Sequence, residues 1–86
     1  MPVASQILTI NLKLIATYRR YLPPEAQGNT VELALPPDTP FEAVLTDLGV
    51  PLDSSSVILV NGHVPAPGQT LRDGDLLIAF PALAGG

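Results

Sequence analysis

The sequence closes on Ala84-Gly85-Gly86, a glycine pair bearing the main-chain carboxylate behind the apolar stretch Leu76-Leu77-Ile78-Ala79-Phe80 and Pro81. Glycine has no Cβ and adopts almost any φ/ψ, so two in succession form a thread narrow enough to enter a tunnel in another protein. The carboxylate at its end has a pKa of about 3.3–3.7 and is ionised at neutral pH, ready to act as an oxygen nucleophile. The other chemistry-bearing residues lack partners. His63 is the single histidine, and nothing in the sequence is placed to orient it as a general base. Asp73-Gly74-Asp75 lacks the further alternating acidic ligands and closing Glu of a calcium loop and reads as a turn. Ser54-Ser55-Ser56 has neither base nor oxyanion donor, and Arg19-Arg20 reads as a solvated pair. With no cysteine, a disulfide, a thiolate metal site and a catalytic thiol are all excluded.

The elements that must position this tail follow from periodicity. Leu8, Ile10, Leu12 and Leu14 alternate with Thr9, Asn11 and Lys13, which predicts a half-buried strand. Ile15 then falls on the polar-facing side, where an apolar residue is unexpected. Residues 16–22 have room for a turn or two of helix before Pro23-Pro24. Val31, Leu33 and Leu35 form the apolar face of a second strand, expected to pair with the first as an antiparallel hairpin.

Thr39-Pro40-Phe41-Glu42 has the composition of a helix start, with Thr39 as N-cap, Pro40 as first residue and Glu42 closing a capping box. Phe41, Val44, Leu45 and Leu48 give one apolar stripe, and Gly49 gives the stop. Val57-Ile58-Leu59-Val60 is a strand apolar on both faces. Asn61-Gly62 follows as a type I′ hairpin turn, with His63-Val64 expected to begin a short return strand. Arg72-Asp73-Gly74-Asp75 makes a further turn before the last strand, Leu76 to Phe80. This order predicts an α+β fold, a mixed sheet of four or five strands under one main helix. Because the last two long strands are apolar on alternate faces, the uncovered face should expose an apolar patch, the usual mark of a docking site.

At 86 residues the chain supports one core and one domain. Four Lys and Arg against eight Asp and Glu give a net charge of −4, which opposes a phosphate-tracking nucleic-acid surface and favours a basic partner face. The first six residues lack a basic n-region, and Thr9, Asn11 and Lys13 interrupt the apolar run behind them. Neither a signal peptide nor a membrane span is expected, and the cytoplasm is the expected location.

Three motifs combine across nearly the whole chain: Val60-Asn61-Gly62 after the third strand, Leu71-Arg72-Asp73-Gly74-Asp75 before the last, and Phe80-Pro81-Ala82-Leu83-Ala84-Gly85-Gly86 at the end. In a β-grasp order of elements, this combination resembles the ubiquitin-like sulfur carriers, the small subunit of molybdopterin synthase and the thiamine-pathway carrier. The ending and the long excursion over residues 16–29 are closer to the molybdopterin branch. The resemblance implies that an E1-like adenylyltransferase uses ATP to activate Gly86, with Gly85 beside it. It further implies that a persulfide donor converts the terminus to a thiocarboxylate. The sulfur would then pass to a molybdopterin synthase large subunit or an equivalent acceptor, making this chain a co-substrate or non-catalytic small subunit with no bound cofactor.

The same resemblance places Ile15, Val64 and Phe80 on the open sheet face, with Pro81, Ala82, Leu83 and Ala84 leading into the partner. It divides the chain into a β-grasp domain over residues 1–81 and a flexible tail over 82–86. Two other readings share these residues, a ubiquitin-like modifier joined to lysines through Gly86 and a non-covalent β-grasp binding module.

Overall fold

The structure, a computed structural model, describes residues 7–82. Strand β1 (Leu8–Leu14) buries Ile10, Leu12 and Leu14 completely and turns Thr9 and Asn11 to solvent. The alternation in the sequence thus becomes a core face and an open face. Strand β2 (Thr30–Leu35) pairs with β1 antiparallel, from Leu8 opposite Leu35 to Lys13 opposite Thr30. Between the two strands the expected short helix is a 3-10 helix over Ala16–Tyr21. Tyr18 is buried there, its ring edge-on to that of Tyr21 with centroids 5.4 Å apart.

Helix α1 (Phe41–Leu48) lies over the core face and buries Phe41, Val44 and Leu45, with Leu48 packed half-buried against the same cluster. This is the stripe set by the 3.6-residue period. The helix stops at Gly49, whose φ of 91° is left-handed and whose N–H donates to the carbonyls of Leu45 and Thr46, so a residue with a Cβ would be strained at this position.

The capping box does not form. Pro40 is the N-cap and no side chain caps the first turn. Thr39 Oγ1 instead donates to the Pro36 carbonyl at 2.7 Å, and Glu42 Oε2 accepts from Gly68 N–H at 2.8 Å. Only the Glu42 side chain is drawn away by the crossing segment, which also pairs with the backbone here: Phe41 N–H donates to Gln69 O, and Leu71 N–H to Thr39 O. That backbone pairing around Pro40 and Thr70 satisfies a donor at the helix start that a cap would otherwise serve.

Strands β3 (Ser56–Val60) and β4 (Leu76–Pro81) complete a four-stranded mixed sheet in the order β2-β1-β4-β3. β4 is central. It runs parallel to β1, with Asn11 beside Leu76 and Leu14 beside Ala79, and antiparallel to β3, with Val60 beside Leu77 and Ser56 beside Pro81. The parallel pairing requires a long crossover, and α1 lies within it. The result is the expected α+β, ubiquitin-like β-grasp architecture with four strands. The return strand expected at His63 reduces to a single bridge between Val60 and His63, because Pro65 and Pro67 follow within four residues and cannot donate to a ladder.

Two turns hold the sheet's centre. Asn61 and Gly62 have φ of 53° and 86°, the two positive angles of a type I′ turn. The Asn61 side chain donates to Asp75 Oδ1 at 2.8 Å and accepts from Leu76 N–H at 2.9 Å. Asp75 Oδ2 in turn accepts from Arg72 N–H, while Asp73 Oδ1 accepts from Thr9 N–H. The two carboxylates of the Asp-Gly-Asp segment are therefore spent on two backbone donors and the Asn61 amide. Asn61→Ala removes two hydrogen bonds and puts a poorly suited residue in the left-handed region, so urea denaturation should show a loss of about 2–3 kcal/mol. A change below about 0.5 kcal/mol would mean that the two turns are not locked together.

Candidate functional site

The residues that can meet a partner follow from the register. Leu77 and Ala79 of β4 are fully buried on the core face, which puts Leu76, Ile78 and Phe80 on the open face. Val57 of β3 lies beside Phe80, and Leu59 beside Ile78, so four apolar side chains pack as two cross-strand pairs and remain half-buried. The β1 and β2 half of the face is polar, with Asn11 beside Glu32 and Lys13 beside Thr30. The open face is thus divided into an apolar half over β3 and β4 and a polar half over β1 and β2.

Ile15 joins the apolar half. Its backbone continues the extended pleat of β1, with φ −113° and ψ 154°, and its N–H donates to Ala79 O at 3.2 Å. It therefore falls alongside Phe80, and its unexpected apolar character in the sequence has a local cause. Val64 lies apart. It is 79% exposed in the irregular segment behind the Asn61-Gly62 turn, outside any strand whose register would set it on this face. His63, also exposed, has backbone bonds to Val60 only.

Past Phe80 the chain leaves the sheet at a defined point. Pro81 lies opposite Ser56, and Ala82 N–H donates to Ser55 O at 2.8 Å. Leu83, Ala84, Gly85 and Gly86, with the tail expected of them, lie outside the described residues.

The loop that receives Ala82 is held on both sides. Ser56 Oγ donates to Pro51 O at 2.7 Å, which commits its only proton and leaves it to accept from the Tyr18 hydroxyl at 2.6 Å. Asp53 Oδ1 accepts from Ser55 N–H at 2.9 Å and from the Ser55 hydroxyl. The Ser55 hydroxyl first, and its N–H second, hold the Asp53 carboxyl below the ordinary carboxylate range. The sequence offered no route to this arrangement, since Ser55 acts on Ala82 through a backbone carbonyl. Val57, Leu59 and Ile78, by contrast, are legible as the second apolar face of two strands.

Among the described residues no group of three or more His, Asp or Glu side chains is placed to hold a metal ion. No helix there is long and apolar enough to cross a membrane.

A four-stranded mixed sheet under one helix, with an apolar half-face on the central strand, defines a ubiquitin-like β-grasp protein. The family model described as Mut7-C ubiquitin matches residues 7–85, and the chain belongs to that family. A comparison with the curated proteins finds no match. Among solved structures, the solution structure of the Haloferax volcanii HVO 2177 protein is similar with a TM-score of 0.73 at 22% identity, over 93% of this chain and 88% of that one. A putative molybdopterin converting factor subunit 1 from Pyrococcus furiosus follows with a TM-score of 0.69 at 20% identity, over 88% and 99%. SAMP1 from Haloferax volcanii gives 0.66 at 23% identity, over 91% and 99%. At these identities the likeness is one of fold. The sequence's resemblance to the small ubiquitin-like carriers is met both in family type and in architecture.

Because Asp53 has a lowered pKa, its contribution to the loop is complete above the unfolded value and fades as pH falls through the folded one. The Ser55 amide resonance should therefore titrate with a midpoint below the ordinary Asp value of about 3.9. A midpoint at or above that value would show that Asp53 does not hold Ser55.

Proposed function

We propose that this chain is a ubiquitin-like sulfur carrier whose Gly86 carboxylate is activated and loaded with sulfur by partner enzymes, most specifically for molybdopterin synthesis. The observation that carries this reading is that one central strand, β4, bears the apolar patch and leads directly to the diglycine. The family match and the fold shared with a molybdopterin converting factor subunit support it.

In the proposed reaction the carboxylate oxygen attacks the α-phosphorus of ATP on an E1-like adenylyltransferase, and pyrophosphate leaves. A persulfide sulfur then attacks the acyl carbon of the adenylate and expels AMP. A second thiol cleaves the resulting acyl disulfide, giving the Gly86 thiocarboxylate and a disulfide on the donor side. The chain supplies no catalytic group and holds no cofactor; it is the co-substrate, acting in the cytoplasm. A synthase large subunit or equivalent acceptor consumes the sulfur.

Energetics divide the work between face and tail. Fixing the four residues 83–86 beyond the Ala82 anchor in a channel costs about 1–2 kcal/mol each, or roughly 4–8 kcal/mol in all. At about 25 cal/mol per Å², burying roughly 160–320 Å² of apolar surface offsets that cost, an area on the scale of a typical docking patch. Ile15, Val57, Leu59, Ile78 and Phe80 supply that surface. Four extended residues reach at most about 14 Å, which joins a docked body to a recessed active site.

The family description, which pairs the ubiquitin-like unit with Mut7-C and not with a sulfur pathway, favours a second reading, a non-covalent binding module that uses the same face. Intact-mass analysis of the protein purified from its own host separates the two. The carrier reading expects a chain ending at Gly86 with one oxygen replaced by sulfur. A chain continuing past Gly86, or a terminus that stays a plain carboxylate, would leave the binding module; lysine-linked conjugates would point to a modifier.

Two substitutions separate the roles of tail and face. Gly85→Val should leave thermal stability unchanged and stop adenylation, because a β-branched residue restricts backbone and width together. Phe80→Asp should weaken binding to the adenylyltransferase at least about tenfold by placing a charge in an apolar contact. Normal adenylation of the first variant would exclude threading, and normal affinity of the second would exclude this face.

A further inference from the structure

The opposite side of the molecule carries a second surface that the carrier reading does not use. β2 is an edge strand of the sheet, and among the described residues no strand pairs with its outer side. The hydrogen bonds of β1 settle which backbone groups that edge offers. Thr9 N–H donates to Asp73 Oδ1 and Thr9 O accepts from Gly74 N–H, while Asn11 N–H donates to Asp75 O. Both residues thus direct their backbone groups towards β4 and away from β2. Their cross-strand partners, Ala34 and Glu32, must then be non-hydrogen-bonded positions of the antiparallel pair, with N–H and C=O turned outward. Thr30, the next such position, is already taken, since its N–H and C=O exchange bonds with Gln27. The open edge is therefore two residues long, with two donors and two acceptors in strand geometry.

Beside that edge runs a groove of about 630 Å³ between β2 and α1, with Leu33, Leu35, Pro36, Ala43, Val44 and Leu48 among its lining residues. Leu33 and Leu35 are the core-face residues that flank Ala34, and both remain half-buried. A strand added at Glu32 and Ala34 would set its own inward side chains over this groove, where α1 closes the other side. Asp38 and Asp47 also line the groove, and both are exposed, while Glu32 contributes a third carboxylate on the edge itself. A second copy of the chain would bring the same three acidic residues against themselves, so like charge disfavours it.

We propose that the β2 edge and the β2–α1 groove bind an extended segment of a partner protein by strand addition, the segment having apolar residues at alternate positions and basic residues at its ends. Main-chain bonds to Glu32 and Ala34 give the register, the groove takes the alternate apolar side chains, and Asp38 and Asp47 select the basic flanks. The site shares no residue with the apolar half of the open face, so it stands or falls independently of sulfur transfer.

The test is an NMR titration of the ¹⁵N-labelled full chain with the peptide acetyl-Lys-Val-Thr-Val-Thr-Val-Lys-amide. Shifts are expected at the Glu32 and Ala34 amides and along residues 43–48, with binding at least about tenfold weaker when both lysines of the peptide are replaced by glutamate. Ala34→Pro should abolish binding and leave the remaining spectrum dispersed, since an edge position whose N–H faces outward tolerates proline. Should that variant fail to fold, Asp47→Lys, an exposed change near a helix C-terminus that favours cations, should shift the preference towards the glutamate peptide. Shifts confined to Val57 and Ile78, equal binding of the two peptides, or no shift at millimolar peptide would overturn the proposal. Concentration-dependent shifts at Glu32 and Ala34 without peptide would overturn it in favour of a second copy.

Discussion

The position of β4 between β1 and β3 is the constraint from which the rest of the molecule follows. A central strand has both backbone edges committed, and in this sheet one pairing is parallel and the other antiparallel. The parallel partner, β1, is separated from β4 by more than sixty residues, and within them α1 is laid over one side of the sheet. That side becomes the core, with Leu77 and Ala79 sealed against Ile10, Leu12 and Leu45. The other face of the same strand is covered by no element among the described residues, and its apolar side chains stay half-buried. The strand that seals the core therefore also carries the apolar half of the open face.

Polar side chains contribute to this arrangement by fixing where strands start and stop. Asn61 and Asp75 tie the turn after β3 to the turn before β4, while Asp73 ties the latter to the start of β1. At the far end of β4, Asp53, Ser55, Ser56 and Tyr18 form a corresponding set around the point where Ala82 leaves the sheet. β4 is thus pinned at its entry and at its exit. These bonds are exposed or half-exposed and individually modest; their consequence is geometric, because they fix where β4 begins and where it ends at Ala82.

Much of this was legible in the sequence where a residue's role is set by its own neighbours. Strict alternation gave β1 and β2, the i, i+3, i+4, i+7 stripe gave α1, and Asn61-Gly62 gave its turn. The misses have two causes: some depend on a segment distant in the chain, and the short return strand fails at prolines close by. Thr39 and Glu42 satisfy every local criterion of a capping box, yet Thr39 turns back to the Pro36 carbonyl while the crossing segment of residues 68–71 takes the Glu42 carboxylate and the Phe41 N–H. His63 and Val64 have strand composition, but a second ladder needs consecutive donors that Pro65 and Pro67 remove. Ile15 was conspicuous by breaking the alternation, and the open face explains it; Val64, placed on that face by resemblance alone, lies outside the strands. The anchoring of Ala82 on a backbone carbonyl leaves no trace in residue type at all.

The two apolar surfaces differ in a way that bears on how the molecule can be used. The apolar half of the open face lies on β3 and β4, and β4 is the strand that precedes the glycines in the sequence. Under the proposed carrier function a partner docked there would hold the diglycine within reach of its own active site. The β2–α1 groove lies at the opposite edge, with β1 intervening, and its charged lining residues are Asp38 and Asp47, whereas the polar half of the open face mixes Lys13 with Glu32, Asn11 and Thr30. Occupancy of one need not exclude the other sterically, and their charge preferences differ. If both proposals hold, the chain would remain attached through its edge to one protein while its face and tail engage another. Retention at the edge would raise the local concentration of the tail at a paired enzyme through effective molarity alone, with no change in the chemistry at Gly86.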